Sequence, residues 1–186
     1  GWIKFCEHNF PEFIDNLSSC KSPHQMFGAV LKSYYAEKNC LDPKDIFVVS
    51  IMPCTAKKYE VQRLEMVNGY PNVDVSITTR EAAKMIRRAG IIWNKLPNEE
   101  FDQDLIGDYT GAGVIFGVTG GVMEAAVRTA HYVLTGEELE PVEFAPCRGL
   151  AGVKEASVTL NGTTLNIAIA SGMKNAKVLL DEINAG

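Results

Sequence analysis

Apolar residues along this chain group into short runs and helical stripes. The clearest run is Ile46 to Met52, IFVVSIM, which is rich in β-branched residues. Such a run is typical of a strand buried on both faces of a parallel sheet. Pro53 lacks the N–H group that a central strand donates, so the strand ends there. Cys54 therefore falls in the loop at the carboxyl end of the strand, where open α/β sheets bind ligands.

Helix signals flank this strand. Ser22 to Gln25 is a helix start, with a capping serine, a proline at the first position and a glutamine that completes a capping box. Apolar residues then recur at helical spacing as far as Tyr35. Further elements are predicted as an opening helix from Trp2 to near Pro11, a helix over about Ala56 to Leu64, a strand from Val73 to Ile77, and a helix through Arg88 opened by a capping box from Thr78 to Glu81.

The later part of the chain adds strands, a hairpin and two helices. The predicted elements are a strand from Gly113 to Val118, a helix from Val122 to Leu134, a short strand from Val142 to Phe144, hairpin strands Val153 to Leu160 and Thr164 to Ala170 around Asn161-Gly162, and a closing helix from about Lys174 to Asn184. We therefore expect one α/β domain over residues 1–186. It has a mostly parallel sheet with helices on both faces, a C-terminal β-hairpin and a last helix.

Composition narrows the classes of function. With 186 residues and 46% apolar content, the chain can bury a sizeable core. Its net charge of -5 argues against nucleic-acid binding, which needs a basic surface. Its apolar stretches are far shorter than the roughly 20 residues of a membrane helix. Five cysteines without a CxxC pair fit neither a disulfide framework nor a zinc site. They indicate a reducing, cytoplasmic location.

The residues alone leave two interpretations of Cys54 open. Lys57 and Lys58 follow three and four residues later, and a helix that starts here brings their ammonium groups over the thiol. Such cations favour the thiolate. Alternatively, Cys54 is an inert core cysteine, which is common for a free thiol. A cysteine-nucleophile enzyme is a more distant alternative, because no motif places a histidine as its base.

Two other features carry weaker signals. Gly111 to Gly121 approximates a dinucleotide-binding spacing, but the polar segment before it is not the strand that this fingerprint requires. We expect Gly117, Gly120 and Gly121 to let the backbone approach a bulky group or another helix. His24, in the first turn of its helix, is expected to act in capping or to face solvent rather than to bind a metal.

Several stretches resemble the iron-only (FeFe) hydrogenase large subunit. The segment Met52 to Lys58, MPCTAKK, is similar to the central cysteine motif of that family. Other matching stretches occur in the same order as in the family, at Gly1-Trp2, Ser18 to Gly28, Ile77 to Glu81, Gly111 to Ala126 and Arg148 to Leu150. The resemblance therefore extends from residue 1 to about residue 150.

The resemblance implies an H-cluster. This cofactor is a four-iron, four-sulfur cubane on four cysteines, joined through one thiolate to a two-iron subsite with carbon monoxide, cyanide and a small dithiolate, where protons and dihydrogen interconvert. Cys54 matches the cubane ligand of the central motif, and Lys57 matches the residue that donates a hydrogen bond to a cyanide. The other residues it assigns are Ser18 in a proton relay, Ser22 and His24 at a helix start facing the cofactor, and Met52, Pro53, Phe116, Gly117 and Thr119 along the cofactor cavity. Many members have glutamine in place of His24.

The family's first and last cysteine motifs have no counterpart here, and would lie before Gly1 and after Gly186. One protein ligand of four does not hold a stable cubane, so we expect an inactive excerpt, one lobe of a two-lobed catalytic domain. The implied partners are protons and dihydrogen as substrates, ferredoxin or NAD(P)-linked electron-transfer subunits or domains, and the rest of the hydrogenase chain, with no nucleic acid and no membrane. The alternative is a sensory or iron-sulfur scaffold relative without turnover.

Overall fold

A computed structural model of the chain describes residues 1–100, 106–107, 110–139, 145–146, 152–160 and 162–186. Its α-helices and strands follow in chain order as α1 Trp2–Asn9, α2 Pro23–Val30, α3 Ala36–Lys38, β1 Val49–Met52, α4 Ala56–Glu60, β2 Val75–Thr78, α5 Thr79–Arg88, α6 Gly111–Ile115, α7 Gly121–Thr135, β3 Ala145–Pro146, β4 Val153–Leu160, β5 Thr163–Ala170 and α8 Met173–Ala185. A π-helical turn, Leu31–Tyr35, joins α2 to α3. Short 3-10 helices cover Pro11–Asn16, Pro43–Asp45, Leu64–Met66 and Trp93–Lys95.

The chain folds into two compact units. Unit 1 contains Gly1, Ile3 and Pro11–Gly107, and unit 2 contains Trp2, Lys4–Phe10 and Asp108–Gly186. That residues 1–186 form one domain stays a prediction. Within the described ranges, no helix combines the length and apolar character needed to cross a bilayer.

Unit 1 is built on a parallel pair of strands. β1 and β2 pair in the register Val49↔Val75 to Met52↔Thr78. α4 follows β1 and contacts β2, while α5 follows β2 and contacts both strands. The capping box that opens α5 forms as predicted between Thr78 and Glu81. The α/β class and the β-α-β-α order are thus confirmed.

A buried ion pair ties the π-helical turn to this sheet. Lys32, 2% exposed, donates to Asp74 Oδ2 at 2.7 Å. The same oxygen accepts the Val48 backbone N–H at 2.7 Å. The Tyr70 hydroxyl donates to the Lys32 carbonyl at 3.3 Å. Because Val48 and Asp74 immediately precede β1 and β2, one carboxylate connects the helix to the start of both strands.

Glycine at position 28 allows α2 to lie directly on the segment before β2. A Cβ atom at Gly28 would lie 2.3 Å from the Asn72 carbonyl oxygen and 2.9 Å from a Val73 methyl carbon. Any larger side chain there displaces the helix from the sheet.

The strand predicted over Ile46 to Met52 is shorter and is buried on one face only. It begins at Val49, and only Ser50 within it is buried, whereas Val49 and Ile51 are 46% and 53% exposed. The prediction of burial on both faces was therefore wrong. An apolar run shows that a strand can be covered, but whether a layer covers its second face depends on tertiary structure.

The predicted strand Gly113 to Val118 was also wrong. Gly111 to Ile115 forms the short helix α6, and a turn follows it. A short apolar run with β-branched residues does not separate helix from strand by periodicity alone. The strand predicted over Val142 to Phe144 lies outside the described residues.

Unit 2 has an antiparallel sheet in the order β3-β4-β5, with α7 against β4 and α8 against β5. The predicted hairpin is confirmed, with Leu160 opposite Thr163 and Gly162 at φ +80°. Its core consists of Val127, Val158 and Leu160, flanked by Ala130, Leu139 and Ile167. Most of α1, Trp2 and residues 4–9, belongs to this unit, and Cys6 in this helix is fully buried.

We predict that Asp74→Ala weakens unit 1 strongly, because it leaves the Lys32 ammonium and the Val48 N–H without the shared acceptor. The local free energy of opening should fall by about 3–5 kcal/mol, as is typical for breaking a buried ion pair. Hydrogen exchange of peptides covering α2 and β2, in the full-length protein, measures this. Asp181→Ala is the control, since the Asp181–Lys177 pair is about half exposed, and it should cost at most about 1 kcal/mol. Equal effects of the two variants would contradict the role given to Lys32 and Asp74.

We also predict that Gly121→Ala disrupts unit 2. A Cβ atom there would lie 1.6 Å from the Ile115 carbonyl oxygen, so α6 and α7 must separate. The expected loss in opening free energy of α7 is about 1–3 kcal/mol or more. Gly113→Ala is the matched control, because its Cβ meets no atom within 4 Å and alanine favours helix by up to about 1 kcal/mol. Hydrogen exchange of α7 peptides should therefore separate the two variants.

Candidate functional site

Cys54 lies where the sequence places it, in the loop between β1 and α4, and its thiol is free and exposed. Because β1 and β2 are parallel, their carboxyl ends meet at one edge, with Met52 opposite Thr78. Cys54 is therefore presented at the edge where α4 and α5 also begin. The alternative that Cys54 is a buried core cysteine is wrong.

Both lysines after Cys54 are held by carboxylates. Lys58 Nζ donates to Glu81 Oε1 at 2.5 Å, and Lys57 Nζ donates to Glu60 Oε2 at 2.8 Å. The hydrogen bond from Lys58, with those from Thr78, lowers the pKa of Glu81 to about 2. Lys58 thereby links α4 to the cap of α5. Both ammonium groups are thus engaged in ion pairs, which the sequence did not predict, and their approach to the thiol stays a prediction.

Glu60, in the last turn of α4, is a hydrogen-bond acceptor for three side chains. Its Oε2 accepts from Lys57, and its Oε1 accepts from the Ser22 hydroxyl and lies 3.1 Å from His24 Nε2. His24 Nδ1 lies 3.0 Å from the buried Ser50 hydroxyl in β1. A continuous hydrogen-bonded chain therefore runs from the sheet to Lys57 through His24 and Glu60.

The protonation states in this cluster follow from burial and charge. Burial acts to raise the pKa of Glu60, but the hydrogen bonds from Lys57, Ser22 and His24 outweigh it and hold the pKa below its ordinary value. Burial lowers the pKa of His24 by more than the Glu60 hydrogen bond raises it. At pH 7, Glu60 is ionised and His24 is neutral. An ionised carboxylate only accepts, so Nε2–H donates to Glu60 and Nδ1 accepts from Ser50.

The prediction that His24 acts in capping or faces solvent was wrong, because its side chain is buried, with 6% exposure. Ser22 is the N-cap of α2 with proline at the first position, as predicted, but its side chain makes no capping bond. The predicted capping box does not form: Ser22 donates to Glu60 instead, and Gln25 is fully buried. The Ser22 side chain is therefore bonded to a residue distant in the sequence rather than to the first turn of its own helix.

Three further predicted residues of unit 1 have simpler surroundings. Ser18 is exposed, and its hydroxyl accepts from the Cys20 backbone N–H at 3.2 Å. Met52 is half-buried at the end of β1, and Pro53 is exposed beside Cys54. The two residues before the cysteine thus give its loop an apolar flank.

Phe116, Gly117 and Thr119 lie in unit 2, in the turn between α6 and α7. All three are exposed, and Phe116 is the C-cap of α6. Gly121 makes the close backbone approach that was expected of this stretch, to Ile115 of α6. An open groove of about 430 Å³ lies along α6 and α7, lined among others by Ala112, Arg128 and Tyr132.

The side chains around Cys54 are suited to supply part of an iron-sulfur site. An exposed free thiol is a ligand for iron, and the ammonium group of Lys57 uses one of its three donors on Glu60, which leaves two for an anion. In the part of the chain that the structure describes, no three or more His, Cys, Asp or Glu side chains are grouped so as to hold a metal ion. These residues therefore fit one cubane ligand and one anion-binding group.

Sequence reasoning missed Glu60 and Ser50. Glu60 stands three residues after Lys57, which is a helical ion-pair spacing, but nothing in the sequence links it to Ser22 and His24 across more than thirty residues. Ser50 interrupts the apolar run of β1, and a lone polar residue in a buried strand is a signal that a polar partner faces it.

We predict that acid destabilises unit 1 partly through His24. Its pKa is lower in the folded than in the unfolded chain, so the stabilisation is complete above the ordinary value of about 6.5 and is lost as pH falls through the folded value. His24→Gln should flatten the fall in α2 protection as the pH drops below about 6.5, measured by hydrogen exchange. His8→Gln alters an exposed histidine of α1 and should leave the profile as in the wild type. An unchanged profile in His24→Gln would contradict this assignment.

The chain is similar to known proteins along its whole length. The chain matches the family model described as iron only hydrogenase large subunit, C-terminal domain, over residues 1–186. It is 52% identical over 187 residues to the NADP-reducing hydrogenase subunit HndD of Solidesulfovibrio fructosivorans, covering 100% of this chain and 32% of that protein. It is 47% identical over 187 residues to the periplasmic Fe hydrogenase large subunit of Nitratidesulfovibrio vulgaris, covering 100% and 44%.

Proteins of lower sequence identity also match over the whole of this chain. The cytosolic Fe-S cluster assembly factor narfl of Xenopus tropicalis is 30% identical over 194 residues, covering 100% of this chain and 40% of that protein. A solved variant of the FeFe-hydrogenase HydA1 from Chlamydomonas reinhardtii superposes with a TM-score of 0.80 at 37% identity, covering 100% of this chain and 54% of that one. The chain thus spans about a third to a half of the length of its relatives. Because the family model matches residues 1–186 of this chain, the chain belongs to the family of the iron-only hydrogenase large subunit, C-terminal domain.

Proposed function

We propose that this chain supplies one cubane ligand and one anion-binding group to the H-cluster of an FeFe hydrogenase, a protein that interconverts protons and dihydrogen. The observation that carries the proposal is an exposed thiol, Cys54, followed three residues later by the Lys57 ammonium group, which uses one of its three donors on Glu60. This pair lies at the carboxyl edge of a parallel sheet, in a chain that matches the family over its full length.

Each residue of the site has a role that its chemistry supports. Cys54, as a thiolate, is a ligand for an iron of the cubane. Lys57 donates hydrogen bonds to an anionic ligand, and a charged donor in a dry cavity is stronger than a neutral one. The bound H-cluster supplies the iron at which protons and electrons combine. Met52 and Pro53 are proposed to keep water away from the cofactor beside Cys54. The cofactor contacts that the resemblance gives to Phe116, Gly117 and Thr119 stay predictions.

Proton delivery is assigned to a hydroxyl. Ser18 is exposed and accepts from Cys20, and a serine hydroxyl both donates and accepts, so it can pass a proton along a chain. Ser22 and His24 face Glu60, and we propose that they orient groups near the cofactor rather than bind it directly.

The proposed electron partners are ferredoxin or NAD(P)-linked subunits or domains. The name of one relative, an NADP-reducing hydrogenase subunit, is consistent with this class of partner. We propose a cytoplasmic location from the cysteine content, while another relative is named as periplasmic. An iron-sulfur scaffold without turnover is the second candidate, and the similarity to a cluster assembly factor favours it.

The test uses the full-length protein, purified without oxygen from a host with the hydrogenase maturation machinery. We expect bound iron, diatomic-ligand infrared bands and hydrogen evolution. Cys54→Ser should lose bound iron and activity, while Cys40→Ser, which alters another exposed thiol of unit 1, should keep both. Lys57→Met should keep the cubane but lower hydrogen evolution by about 10-fold or more, the usual cost of removing an outer-shell hydrogen bond.

The result separates the two candidates. A cubane without diatomic-ligand bands or hydrogen evolution in the wild type identifies a scaffold protein. Full activity in Cys54→Ser overturns the ligand assignment.

A further inference from the structure

Glu60 is the point at which the polar groups of this site converge. It accepts hydrogen bonds from Lys57, Ser22 and His24, which come from α4, from the N-cap of α2 and from its first turn. Nothing in the proposed function gives Glu60 a role.

A surface ion pair three residues apart in a helix would contribute little, typically below about 1 kcal/mol. Here the side chains of Lys57 and Glu60 are only 22% and 18% exposed. The second carboxylate oxygen is fixed by Ser22 and by His24, whose side chain is 3% exposed. A carboxylate held at both oxygens in a partly dry setting fixes its partner more firmly than a solvated one does.

The anchoring extends into the sheet. His24 accepts from the Ser50 hydroxyl and donates to Glu60, so the carboxylate is positioned relative to β1 itself. Only Pro53 separates Cys54 from the end of the same strand. The position of the Lys57 ammonium group is therefore fixed relative to the strand that presents the thiol, although a lysine side chain has four flexible carbon atoms.

We propose that Glu60 is a positioning residue, which fixes the Lys57 ammonium so that its two remaining N–H groups face the anionic ligand of the cofactor. Ser22 and His24 hold the Glu60 carboxylate in turn. The inference rests on the proposed function for the identity of the anion, but the positioning of Lys57 itself does not require the cofactor.

Glu60→Gln isolates the relevant contact. The amide oxygen of glutamine still accepts from Ser22 and His24, but its NH₂ group then faces Lys57 and cannot accept. The substitution therefore releases Lys57 while it keeps the other two hydrogen bonds. Glu37→Gln is the matched control, because Glu37 is an exposed carboxylate on α3 of the same unit.

The first measurement is the acylation rate of Lys57 in the cofactor-free full-length protein, read by mass spectrometry. Lys58 is the internal reference, because its partner Glu81 is unchanged. Release of Lys57 should raise its rate by about fivefold, as expected for loss of a charged hydrogen bond, with Lys58 and the Glu37→Gln protein unchanged. An equal rate in wild type and Glu60→Gln overturns the proposal.

The second measurement uses the loaded protein. Glu60→Gln should shift the infrared bands of the diatomic ligands and lower hydrogen evolution by about 10-fold, with iron content unchanged. Faster acylation with unshifted bands and full activity overturns the functional part of the proposal, while the hydrogenase assignment stands. A wild type without bands or activity overturns the hydrogenase assignment instead. If Glu60→Gln does not fold, Glu60→Asp, which withdraws the carboxylate by one methylene group, replaces it in both measurements with the same expected directions.

Discussion

The ion pair between Lys32 and Asp74 is the contact on which unit 1 depends. Asp74 accepts both the buried ammonium group and the Val48 N–H, so one carboxylate holds the helical segment that contains α2 against the beginning of the two parallel strands. A buried charge with a missing partner is costly, which makes this arrangement specific as well as stable. Gly28 adds the steric condition, since only glycine lets α2 reach the Asn72 backbone. The position of α2 in turn decides where Ser22 and His24 lie.

The site at the other end of α2 uses the same physical device. A carboxylate at a helix-sheet junction, Glu60, collects donors from different elements and brings them into one geometry. Its charge is maintained because three donors outweigh the cost of its burial. The neutral state of His24 follows from its own burial, and in that state its Nδ1 accepts from Ser50 while its Nε2–H donates to Glu60. Structure and electrostatics of the site are thus set by α2, β1 and α4 together.

In the proposed hydrogenase, this arrangement separates two tasks. The loop after β1 presents a thiol to the metal, and the helix that follows presents a cation to an anionic ligand. A flexible lysine gives a strong but poorly directed hydrogen bond, and a fixed carboxylate neighbour corrects that weakness. A glutamine at position 24 would also donate to a carboxylate. The histidine adds a dependence on pH to the same contact.

The sequence by itself determined the local features of this protein. Proline after an apolar run ended β1 and exposed Cys54, the Thr78 to Glu81 pattern capped α5, and Asn161-Gly162 marked the hairpin, because each depends on residues close in the chain. The motif MPCTAKK indicated the family. Tertiary structure alone decided that β1 is covered on one face, that Gly111 to Ile115 is helical, and that Ser22 turns from its own helix to Glu60. The covering of β1 and the contact of Ser22 with Glu60 depend on partners distant in sequence, whose approach is fixed only when the helices and strands pack. The helix α6 packs on α7, which periodicity in a short apolar run does not reveal.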